Sequence, residues 1–165
     1  MRHLRWQFLG LLLCVALLSV GCGPSKRVPS LVKPSDVEVE GAEPLKITVT
    51  DVWKRPLRPE ELEPTDKAGF LWEFKVKIAN QSNVGVTLEL LRLNVQNLWG
   101  NGWRKDKPLN LSVRGGAEAE VSVKGRLGSS DPNALPGLTG VETLTFLGRS
   151  DDGEPINFTV RVPLH

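Results

Sequence analysis

Residues 70–80 read FLWEFKVKIAN. Phe70, Trp72, Phe74, Val76 and Ile78 recur at every second position, with Glu73, Lys75 and Lys77 between them. Successive side chains of a β-strand leave opposite faces, so this period of two predicts a strand with an aromatic and aliphatic inner face. The charged alternate positions predict that its other face meets water, as in an antiparallel sheet covered on one side.

The same period runs outward in both directions. Upstream, LKITVTDVW (45–53) sets Leu45, Ile47 and Val49 against Lys46, Thr48 and Thr50, and Trp53 closes the strand at the edge of the core. Glu60 to Leu62 has room for one turn of helix inside a proline-rich loop. Downstream, NQSN (80–83) is turn chemistry. In VGVTLELLRLNVQNLW, Val84, Val86, Leu88 and Leu90 hold one phase, and Leu91, Leu93 and Val95 the other. One flat strand cannot bury both sets, so a β-bulge or bend is expected near Leu90–Leu91. Four further strands follow: LNLSV (109–113); AEAEVSVKGRL (117–127) after Arg114-Gly115-Gly116; residues 141–147; and INFTVRV (156–162) after the hairpin pair Asp152-Gly153. The count is about seven strands over residues 45–165, enough chain for one core. The expected fold is all-β, a single immunoglobulin-like or fibronectin-like antiparallel sandwich. With no Cys…Trp…Cys spacing the likeness is one of architecture.

At the N-terminus, Arg2, His3 and Arg5 precede an uncharged apolar run from Phe8 to Val20. That run has the length of a secretory signal core and falls short of the roughly 20 residues that span a bilayer. It ends in LSVGC (18–22), which resembles the lipobox of bacterial lipoproteins, with Ser19 where leucine is commonest and Leu18 one place earlier. The resemblance implies cleavage between Gly21 and Cys22 and fatty acylation (palmitate or similar) of Cys22. Residues 1–21 are then signal peptide, and 22–44, with Pro24, Pro29, Pro34 and Pro44, a lipidated cysteine followed by a flexible linker, the alternative for the linker being an ordered N-terminal strand that involves Val37 and Val39. More than one acyl chain anchors stably. Gly23 after the cysteine, rather than Asp, implies by the same resemblance the outer membrane, with the domain facing the periplasm. The strand pattern itself broadly resembles the immunoglobulin-like domains of small bacterial lipoproteins.

Composition then excludes several chemistries. The chain has 21 Lys+Arg and 19 Asp+Glu; losing residues 1–21 removes Arg2 and Arg5 and leaves the two signs equal. That balance gives no electrostatic case for nucleic acid. The run Arg104, Lys105, Asp106, Lys107 is expected to be a solvated loop. The mature chain would retain Cys22 alone of the two cysteines and His165 alone of the two histidines. A nucleophile–histidine pair or a Cys/His zinc site therefore has no residues to use, and neither an enzyme, a cofactor nor a metal is expected. Asp151, Asp152 and Glu154 around Gly153 read as a hairpin turn.

The candidate binding residues are Trp99, Asn101 and Trp103 in LWGNGW (98–103), a glycine-rich tip that either presents an aromatic platform or staples a hairpin. The function expected is a membrane-anchored envelope lipoprotein whose non-catalytic sandwich binds or spaces an envelope component: a partner protein, another lipoprotein or peptidoglycan. The alternative is a carbohydrate- or small-ligand-binding module that uses the tryptophans.

Overall fold

A computed structural model of the chain describes residues 28–29, 36–97, 102–131 and 140–164. Its strands are β1 (Val28–Pro29), β2 (Glu38–Glu40), β3 (Leu45–Pro56), β4 (Ala68–Asn80), β5 (Val86–Asn97), β6 (Gly102–Val113), β7 (Glu118–Ser129), β8 (Gly140–Ser150) and β9 (Pro155–Leu164). Every pairing is antiparallel. One sheet has the order β1-β3-β4-β7 and the other β2-β9-β8-β5-β6. The seven long strands β3 to β9 thus divide as first, second and fifth against third, fourth, sixth and seventh. The expected all-β sandwich of immunoglobulin- or fibronectin-like architecture is the observed fold.

The inner faces interdigitate as the alternation predicts. Phe74, Val76 and Ile78 of one sheet meet Leu88, Leu144, Phe146, Phe158, Val160 and Val162 of the other, all fully buried. Phe146 and Phe158, paired across β8 and β9, stack with ring centroids 4.7 Å apart and 10° between planes. At the β4–β5 turn the buried Asn80 organises the chain. Its Nδ2 donates to the carbonyls of Val84 (2.8 Å) and Val113 (3.1 Å), and its Oδ1 accepts from the Ser82 amide and hydroxyl.

The bulge expected near Leu90 is present. Register shifts between Leu88 and Leu90 in both ladders of β5, so Leu88 and Leu91 are each buried, with Glu89 between them exposed. A second irregularity, in β3 between Thr50 and Trp53, has Asp51 at φ 55°. It reverses the strand's faces. Trp53, which counts in phase with Leu45, instead lies opposite Glu73, and Lys54 lies opposite Trp72 on the inner side. The Lys54 ammonium sits 4.3 Å from the Phe70 ring centroid and donates to the Leu164 carbonyl at 3.4 Å. Burial lowers its pKa.

Two expectations are corrected. The segment 22–44 is not linker throughout: Val28 and Pro29 pair with Lys54 and Trp53, and Glu38–Glu40 pair with Thr159–Arg161. Those contacts supply the backbone partners that composition does not reveal. Arg104 to Lys107 form strand rather than loop, within β6. Asp106 neutralises the run from outside by taking both Arg92 (3.0 Å) and Arg104 (3.5 Å). The expected turn of helix is a 3-10 turn at Pro59–Glu61. Arg55 locks it through two 2.6 Å bonds to the Glu61 carboxylate, and these hold the Glu61 pKa down to about 2.

Candidate functional site

Of the residues singled out by sequence, Gly21, Cys22, Trp99 and Asn101 lie outside the described residues. Trp103 is placed by its backbone, in β6 opposite Val95. The structure draws attention instead to two places that the sequence reading passed over.

The first is the open side of the sandwich, where β6 and β7 are the last strands of their sheets. Between them lies a cleft of about 550 Å³, floored by Leu91, Leu93 and Val123 and rimmed by Lys105, Lys107, Lys124 and Arg126. Lys105 and Lys107 pair directly with the buried Leu93 and Leu91, and directly opposed residues of a ladder share a face. The two lysines therefore leave β6 on the side of the core, where the sandwich is not closed. Arg126 is bound by Glu63 (2.7 Å) and Asp66 (2.9 Å). Lys105, Lys107 and Lys124 have no acidic partner among the described residues. The floor residues are almost completely covered, so the cleft offers charge and a free strand edge rather than a slot for an acyl chain. No sequence period links β6 to β7, which belong to different sheets, and this is why the cleft is not legible in the sequence.

The second is Glu142, fully buried in β8 between Val95 and Val162. Trp72 reaches across from the opposite sheet and donates its indole N–H to Glu142 Oε2 at 2.5 Å. Glu142 Oε1 has no hydrogen-bond partner. Burial raises the carboxyl pKa to about 7, with the Trp72 bond opposing the rise. A sequence signal was there to find, because Glu142 is in phase with Leu144 and Phe146. Trp72 is accommodated by Gly125: a Cβ there would run into the indole ring. Gly125→Ala is therefore expected to destabilise the domain by about 1–3 kcal/mol, as overpacking of a filled core does. Urea unfolding measures it, and an unchanged midpoint would show that the indole has room to move.

Among the described residues no helix is long and apolar enough to cross a membrane, and no group of three His, Cys, Asp or Glu side chains could hold a metal ion. The fold and these sites define an antiparallel β-sandwich with an open, cationic side. No family model and no curated protein matches the chain. Solved structures do resemble it. One is an X-ray structure of a Northeast Structural Genomics Consortium target, SoR45, at TM-score 0.54 and 13% identity over 74% of this chain and 84% of that one. A crystal structure assigned as the ApaA protein of Bordetella pertussis has TM-score 0.48 and 16% identity over 73% of this chain and 88% of that one. At these identities the likeness to SoR45 is one of fold.

Proposed function

We propose that the chain is a lipid-anchored protein of a bacterial envelope, held through Cys22, whose non-catalytic sandwich docks a protein partner through the open side between β6 and β7. The anchor rests on the LSVGC junction and its short apolar run. The observation that carries the docking role is the cleft itself. Lys105, Lys107 and Lys124 converge on one cleft beside β7, the last strand of its sheet among the described residues, and none of the three is in an ion pair there. Lysines in such a position steer an acidic partner and give an approaching strand charged neighbours.

The two halves of the proposal are tested together in native membranes. Fatty-acid labelling should be abolished by Cys22→Ala, and labelling that survives removes the anchor. A photo-crosslinking residue at Lys107 should give a discrete protein adduct. The same residue at Thr145, on the outer face of the five-stranded sheet, should give none. Equal adducts at both positions, or none at Lys107, overturn the docking side.

A further inference from the structure

Among the described residues the two sheets end in four edges: β1 and β7 in one, β2 and β6 in the other. An edge presents unpaired N–H and C=O groups and invites another strand unless something blunts it. Three of the four are blunted. β1 has 2 residues and β2 has 3. β6 carries Pro108, and its register with β5 slips beside Asn110, whose φ is 49°. β7 is different. It is 12 residues long, contains no proline, and runs in unbroken register with β4 from Glu118 to Ser129.

The sequence of that edge is antisymmetric in charge. On its outer face stand Glu118, Glu120, Ser122, Lys124 and Arg126; on its inner face, Ala119, Val121, Val123 and Gly125. Reversing the strand about Ser122 exchanges acid for base at every outer position and small apolar for small apolar at every inner one. We propose that the occupant of the open side is a second copy of this chain, its β7 antiparallel to the first, with Ser122 on the two-fold axis. The inference rests on the docking role proposed above and names the partner.

In this register Lys124 faces the partner's Glu120, Arg126 faces the partner's Glu118, Val121 faces the partner's Val123, and Ala119 faces the partner's Gly125. Each is an interaction that directly opposed strand residues make favourably. Glu73 lies opposite Lys124 within one copy, and Lys77 opposite Glu120. One row across the joined sheets therefore reads Glu73, Lys124, the partner's Glu120, the partner's Lys77, alternating in sign over four strands. Lys124, which is in no ion pair among the described residues of its own chain, acquires one. A slip of two residues loses charge pairs, which fixes the register. The contact is isologous and closes on itself, as a two-fold interface must. The hydrogen bonds from the loop 57–67 to β7 fall at its far end, between Arg126 and Glu61, Glu63 and Asp66 and from Lys67 N to Ser129 O (2.7 Å).

The test is disulfide trapping of the full chain in its native membrane, with the parent chain, which has Cys14 and Cys22, as background. Ser122→Cys should give a covalent dimer above that background on mild oxidation. Lys124→Cys alone should not, because it would lie about 13 Å along the ladder from its counterpart. In the Ser122→Cys background, Lys124→Glu or Glu120→Lys should each reduce the trapped dimer about tenfold, since like charges then face each other. Mixing those two variants should restore it, and only pairing between copies predicts that rescue. Absence of a Ser122→Cys dimer, equal trapping at 122 and 124, or failure of the mixture to rescue overturns the proposal. A Ser122→Cys adduct with a different protein also overturns self-pairing while leaving the docking side in place.

Discussion

Phe74→Ala is expected to remove about 3–5 kcal/mol of stability, a large fraction of the roughly 5–15 kcal/mol that a domain possesses. The ring is 0% exposed and sits at the centre of β4, the strand that pairs with both β3 and β7. Its loss leaves a cavity that two registered ladders prevent from collapsing. Lys75, one residue on, points to the other face, where it bridges Asp51 (3.3 Å) and Glu120 (3.4 Å) in partial contact with water. Exposed pairs of that kind contribute about 0–1 kcal/mol, so Lys75→Ala should move the urea midpoint far less. Equal shifts for the two variants would mean that the faces of β4 are misassigned.

The second large effect belongs to Glu142. Its carboxyl has a pKa of about 7 when folded against 4.5 for an unburied glutamate. The folded state therefore binds the proton more tightly than the unfolded state, and stability falls as pH rises through the interval between those values. Below about pH 4.5 both states are protonated and the residue adds no penalty. Above about pH 7 both are ionised, and the buried charge costs on the order of 3 kcal/mol. Glu142→Gln keeps an acceptor for the Trp72 N–H and removes the charge. It should raise stability at pH 8 by up to about 3 kcal/mol and leave it nearly unchanged at pH 4. Unfolding curves of both proteins at several pH values check this. Parallel pH profiles would show that Glu142 is not the titrating group.

The two bulges show where legibility ends. In β5, two hydrophobic sets of opposite phase, Val86–Leu88 and Leu91–Val95, could not both face inward on a flat strand, so the conflict announced the bulge. In β3 no such conflict arises. Asp51 merely interrupts the inward phase, and counting on by twos places Trp53 inside, where the bulge has put Lys54. The short strand β2 was legible only as the lesser reading of its segment, a strand through Val37 and Val39, because Glu38, Val39 and Glu40 bury little and owe their order to backbone bonds with β9. The candidate site was less legible still. Its cations come from β6 and β7, whose proximity depends on how two sheets stack, and the RKDK run in β6 looks like solvated loop until Asp106 is seen to neutralise the outer face. The charge antisymmetry of β7 was readable in the sequence all along, but it acquires meaning only once that strand is known to be an unblunted edge.

The two-residue strand β1 would change the mechanics of the attachment proposed at Cys22. By pairing Val28 with Lys54 and Pro29 with Trp53, it pins the chain to the sheet only about six residues after Cys22. Six residues reach at most roughly 20 Å. For a chain fixed at Cys22, the sandwich does not roam on a long leash but stands on a short stalk at one rim of a sheet. β7 forms the opposite rim, three strand spacings or about 14 Å away. Two copies joined at that rim would plant their stalks about 34 Å apart, giving the pair a two-legged stance with a fixed footprint.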